Sequence, residues 1–193
     1  MSDHDVALMG HLMRRAGFGC QYQELEARAA KGYEETVEEL LNPSEDTHGM
    51  DLDLAERYFI EWNHHIRCVP EYIAFRMVNS KSQLEEKMIL FWHGILCHTD
   101  SKNQSQIASH AEWEMLRRCG LDSFKDLLIE ISKDPAMVYF LDNCLSHKDA
   151  INENYGRELL ELFSLGVGMD GEFNYTEDDD KECARAFTGW TLA

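Results

Sequence analysis

The chain is poor in the features that most readily announce a function. Only three of its 193 residues are proline, and runs of β-branched residues are few, which leaves helices as the main element. No apolar run approaches the ~18 residues that span a bilayer, so membrane insertion is not expected. Basic residues are scarce: 18 Lys and Arg stand against 36 Asp and Glu, for a formal net charge of -18. A surface of that sign repels nucleic acid and anionic membranes, and neither is expected as a partner. The six cysteines (Cys20, Cys68, Cys97, Cys119, Cys144, Cys183) are scattered without a CxxC pair. That spacing speaks against a disulfide framework or a zinc knuckle and for reduced, mostly buried thiols. The opening MSDHDVALMG lacks a basic stretch followed by an apolar one, so no export signal is read and the default compartment is cytoplasmic. P-loop, dinucleotide fingerprint, HExxH and nucleophile–base motifs are absent, as are internal repeats.

What remains is helical periodicity with clear punctuation. Helices are predicted over Val6–Ala16, Gln21–Ala30 and Tyr33–Leu41, broken at Gly17-Phe18-Gly19 and Lys31-Gly32 and closed by Asn42-Pro43. A polar connection follows over Ser44–Met50. The next helix runs from Asp53 to about Cys68 with Leu54, Tyr58 and Trp62 on one stripe, and Pro70 forces a restart. His64 and His65 are adjacent, point about 100° apart on a helix and cannot chelate one ion together. Further helices cover Ile107–Cys119, a segment capped by Asp122, a short one opened by Asp134-Pro135, and Glu177–Phe187 behind Thr176. The whole reads as one all-α domain, an irregular bundle of about eight to ten helices, with N-terminal helices over 1–43, a main body over 51–193 and a small hairpin near 167–175.

Two helices carry the chemistry. In Ile151–Gly166, Tyr155, Leu159, Leu162 and Phe163 fall on one side at 100° per residue, and Asn152 is a plausible N-cap. Glu153, Asn154, Arg157, Glu158 and Glu161 occupy the other side. That strip is either a solvated face held by i,i+4 ion pairs or a carboxylate cluster able to hold a divalent cation or move protons. In Ser82–Cys97 apolar residues fill nearly the whole circumference, as in a buried helix. Glu86 and His93 interrupt it at i and i+7. A buried His93 needs a carbonyl, a carboxylate or a metal at each ring nitrogen. His98 lies beyond the expected helix end, and His93 with His98 is not a familiar chelating spacing.

Five stretches taken together resemble the bacterial domain-of-unknown-function 1800 family: HLMRRAGFG (11–19), EEKMILFWHG (85–94), FKDLLIEISKDPAMVYFLDN (124–143), NENYGRELLELFSLGVG (152–168) and YTEDDDKECARAFTGW (175–190). The resemblance implies a mostly helical fold with no established activity, a chain that continues into a missing C-terminal part, and a gene neighbour encoding a sulfatase-like protein as partner. Many members carry export signals, unlike this chain. The matched polar positions are Arg14, Arg15, Glu86, His93, Asn152, Glu153, Asn154, Arg157, Glu158, Glu161 and Trp190. Relatives often read ELHTLG and FWHxHF, where this chain has Phe163 and Ile95; a metal that used those histidines would find two ligands missing. Two functions follow as expectations. One is a metal-assisted hydrolase, with Glu86, Arg157, Glu158, Glu161 and His93 as catalytic groups and Glu158, Glu161 and His93 as metal ligands. The other is a non-catalytic module that binds the sulfatase-like product.

Overall fold

The computed structural model describes residues 2–43, 52–61 and 68–191, with the backbone only for 52, 53, 60, 61 and 100. The connection expected over 44–50, Trp62, the His64–His65 pair and the final two residues lie outside the described residues. The described chain is helical apart from one two-stranded hairpin. It divides into two compact units, the first ending at Phe91 and the second beginning at Trp92. Among the described residues no helix is long and apolar enough to cross a membrane.

In the first unit, α1 (Asp3–Arg15) begins three residues earlier than the periodicity suggests. Ser2 and Asp5 form a reciprocal capping box there, satisfying two orphan amides at once. The Gly17–Gly19 break then turns the chain: Gly19 has φ 87° and its N–H donates to Met13 O at 3.0 Å. Helices α2 (Tyr22–Lys31) and α3 (Tyr33–Leu41) are joined by Gly32 at φ 123°, a left-handed position that favours glycine. Met9, Leu12, Met13 and Leu40 form the core of this hairpin, with Leu25, Val37 and Leu84 packed on it. Arg14 and Arg15 stand exposed on α1.

Past the undescribed connection, α4 (Leu52–Glu56) runs into a π-helical turn over Arg57–Glu61. The expected stripe faces solvent: Leu54 and Tyr58 are exposed, whereas Phe59 packs at a tilt against Tyr72 and Phe75. Helix α5 (Cys68–Asn79) holds Pro70 in its first turn, where a missing N–H costs nothing. Helix α6 (Gln83–His93) is not apolar-buried all round: Glu86 and Ile89 are its buried residues, whereas Leu90 and Phe91 are exposed.

In the second unit the stretch 99–106, read as a loop, contains a short helix, α7 (Asp100–Asn103), before α8 (Gln106–Cys119). Ser123 rather than Asp122 caps α9 (Phe124–Lys133), its Oγ accepting from Asp126 N. Asp134 caps α10 (Pro135–Phe140) as expected, accepting from the amides of Ala136 and Met137. Helix α11 (Asn154–Glu158) continues as a π-helical segment over Leu159–Ser164, closed by Leu165 N donating to Leu160 O, five residues back. A wider turn slips the 100° phase, so Leu162 is 62% exposed while Tyr155 and Phe163 stay buried. Strands β1 (Gly168–Met169) and β2 (Glu172–Phe173) pair antiparallel where the hairpin was expected. Helix α12 (Glu177–Ala186) starts from a Thr176–Asp179 capping box and packs on α11, where Gly156 leaves no room for a Cβ against the Ala184 backbone.

Candidate metal centre

Helix α6 ends at His93, and a tight turn follows in which Ile95 N and Leu96 N both donate to Trp92 O. Leu96 is buried and Ile95 largely exposed. The turn returns the chain so that His98 meets α8. On that helix Ser109, Glu112, Trp113 and Leu116 stand at i, i+3, i+4 and i+7, one buried face carrying a hydroxyl and a carboxylate among apolar groups.

The result is a polar pocket in the core of the second unit. His98 Nδ1 lies 2.8 Å from Glu112 Oε2, and His98 Nε2 lies 2.9 Å from Ser109 Oγ. Asn103 Nδ2 donates to the same Oγ at 3.1 Å. His93 stacks on Trp113 with ring centroids 4.2 Å apart and brings Nε2 to 3.9 Å from Glu112 Oε1. His93, His98 and Glu112 each offer a ligand atom, all within 4.8 Å of one another. Glu112 has no side-chain exposure and His98 almost none, whereas the His93 side chain is 25% exposed.

Electrostatics set Glu112 apart. Burial pushes its carboxyl up to about 7, against the downward pull of His98. The nearby Asp134 carboxyl adds to the rise. Asp134 is itself raised by burial, although the α10 amides of Met137 and Ala136 hold it down. Glu112 Oε1 meets no donor among the described residues. A buried acceptor left without a donor costs about 1–3 kcal/mol, more if charged, and calls for a proton, a water or an ion opposite it.

The residues expected from sequence fall into three places. Glu86 lies in the first unit, fully buried, and accepts from Arg76 Nε at 2.9 Å, while Arg76 Nη1 donates to Tyr72. His93 stands in the pocket. Arg157, Glu158 and Glu161 lie along α11 and its π-helical extension, with Arg157 bridging Asp180 at 3.0 Å and Glu153 at 3.4 Å. Glu161 accepts from Tyr175 OH at 3.0 Å. Burial and the nearby Glu161 raise Glu158. Asn152 and Asn154 do other work: their amides donate to Asp142 O and Leu141 O, the carbonyls just past α10. Lys102 adds a third clamp, donating to Phe140 O and pairing with Asp142. Trp190 sits near Phe187, whose ring meets Tyr155 edge-on. Phe163 is buried and Ile95 is at the surface, so neither family departure falls among the grouped ligands.

Sequence reasoning set His98 aside because His93 and His98 are not at a familiar chelating spacing, yet the turn after α6 brings the two together; Ser109 and Glu112 it did not consider. A signal for Glu112 was present: it lies on the core stripe of α8 with Trp113 and Leu116, where an unpaired carboxylate does not belong.

A family model described as protein of unknown function (DUF1800) matches residues 11–193. No curated protein and no solved structure matches.

Proposed function

The chain belongs to the DUF1800 family of proteins of unknown function, and from that premise we propose that it is a metal-assisted hydrolase whose centre is His93, His98 and Glu112. The observation that carries the reading is Glu112 Oε1: wholly buried, without a donor among the described residues, and facing His93 Nε2 across 3.9 Å. Two imidazoles and one carboxylate are a donor set that suits zinc, iron and related divalent ions and leaves positions for water or substrate. A divalent ion so held supplies Lewis acidity and a water whose pKa falls toward about 7.

The chain's own residues divide the remaining work. His93, partly exposed and fixed by its stack on Trp113, faces the incoming substrate. Glu112, buried and next to Asp134, can hold or release a proton there. The carboxylates of α11 enter this reading as a network that ties α11 to α12 through Arg157 and Asp180.

The test is metal content by plasma mass spectrometry on protein purified without chelator. One equivalent in the wild type, lost in Glu112→Gln and His98→Ala but kept in Glu158→Ala, supports the centre and justifies screening ester, phosphoester and peptide substrates. Metal that survives Glu112→Gln but vanishes with Glu158→Ala would move the site to the α11 strip, and no metal in any form would end the reading.

A second reading has its own observation. Leu162, Leu165, Met169 and Phe173 are each exposed in or near the hairpin, large apolar side chains of the kind that a protein partner covers. The sulfatase-like product is the partner to try, by co-purification with the wild type and with Met169→Glu/Phe173→Glu.

A further inference from the structure

The three grouped ligands are themselves held, and the way His98 is held decides which of its nitrogens can bind a cation. Its ring is clamped at both ends inside the second unit, Nδ1 against Glu112 Oε2 at 2.8 Å and Nε2 against Ser109 Oγ at 2.9 Å. Of these neighbours only the carboxylate belongs to the ligand group. Ser109 is 1% exposed. It lies one helical turn before Glu112 on α8, and its hydroxyl already accepts from Asn103 Nδ2.

A hydroxyl differs from an amide or a carboxylate in being able to donate or accept by rotating one bond. Asn103 N–H donates to Ser109 Oγ, and without a metal the contacts allow the donors to continue in the same direction, Ser109 O–H to His98 Nε2 and His98 Nδ1–H to the Glu112 carboxylate. With a cation beside Glu112, Nδ1 must give up its hydrogen to offer a lone pair. Nε2 must then carry the hydrogen, and Ser109 Oγ can accept it without moving. One proton leaves Nδ1 for solvent and one enters at Nε2 from solvent, so the imidazole stays neutral throughout.

We propose that Ser109, oriented by Asn103, is a positioning residue that stabilises both tautomers of His98 and so makes Nδ1 the metal-binding nitrogen. This rests on the metal-centre reading and goes beyond it by naming the coordinating atom and the pair that sets it. The arrangement is the familiar one in which a ligating histidine donates its other ring hydrogen to an outer partner, and loss of that partner weakens metal binding about 10- to 100-fold. Valine in place of Ser109 would keep the volume and lose the hydroxyl, whereas threonine keeps it.

The experiment uses the whole chain labelled with 15N-histidine, with His98 resonances identified from a His98→Asn variant. Ring-nitrogen shifts are recorded without metal and with one equivalent of Zn2+. Zn2+ affinity is measured by competition with a chromophoric chelator for wild type, Ser109→Ala, Ser109→Thr and Asn103→Ala. The expected result is hydrogen on Nδ1 without zinc and on Nε2 with it. Affinity should fall 10- to 100-fold in Ser109→Ala, fall less in Asn103→Ala, and stay within about threefold of wild type in Ser109→Thr. Zinc bound through Nε2, a tautomer unchanged on loading, or a Ser109→Ala affinity equal to wild type would overturn the proposal while leaving the metal centre standing. A wild type that takes up no zinc would overturn the centre and this proposal with it. The wild-type shifts alone identify the coordinating nitrogen even if Ser109→Ala fails to fold.

Discussion

Glu86 and Glu112 are both buried glutamates in helices, and they differ in what stands opposite. Glu86 faces the Arg76 guanidinium at 2.9 Å, with Tyr72 completing the group. Burial alone would lower Arg76, yet Glu86 and Tyr72 hold it above its ordinary value. The cation is permanent and the carboxylate is spent. Glu112 faces imidazoles, which are cations only when protonated, and one of its oxygens meets no donor among the described residues. A carboxylate matched by arginine holds a fold together, whereas one matched by histidine still has capacity for an ion. The α11 strip is a third case: Arg157 is 56% exposed, and its pairs are of the solvent-screened kind.

The comparison can be broken or sharpened by substitution. The largest effect is expected in the pocket: Glu112→Gln should abolish stoichiometric metal while leaving the circular dichroism spectrum unchanged, because an amide of the same shape removes a buried charge. Next in size, Arg76→Ala should destabilise the chain by about 3–5 kcal/mol in denaturant titration by leaving Glu86 uncompensated. Arg76→Met combined with Glu86→Leu should cost much less than Arg76→Ala alone, and a double variant as unstable as the single would contradict the pairing.

A pH series comes third. Burial raises Glu112 from its ordinary 4.5 to about 7, so the folded, metal-free state holds that proton more tightly than the unfolded chain. Its contribution to stability is therefore complete below about pH 4.5 and is lost as pH rises toward 7. Chemical denaturation in chelator should show this decline, and Glu112→Gln should flatten it. The smallest effect is expected on the strip: Glu158→Ala should change stability by less than about 1 kcal/mol and leave metal content unchanged.

The sequence spoke clearly wherever the physics was local. Gly17–Gly19, Gly32, Asp134-Pro135 and Thr176 mark true boundaries because caps and left-handed turns act within a few residues. The hairpin at 168–173 follows from its glycines in the same way. The two π-helical segments were not legible, since a uniform 100° step cannot register a wider turn, and Leu162 went to the wrong side for that reason. His93 was legible as a histidine that needs a partner, but the partner was not. Glu86 shares a helix with it and was the nearer choice, whereas Glu112 reaches it only through the turn after α6. Charge density drew attention to Glu158 and Glu161, but density at helical spacing says nothing of burial.

The asparagines of the NENY stretch lead somewhere else. Asn152, Asn154 and Lys102 grip the last carbonyls around α10, and Asp134 at its other end lies against Glu112. A helix of six residues is a rod about 9 Å long with little bend in it. Its two ends are therefore held at a fixed separation, so the asparagine loop and the Asp134 cap keep one spacing whatever the loops around them do.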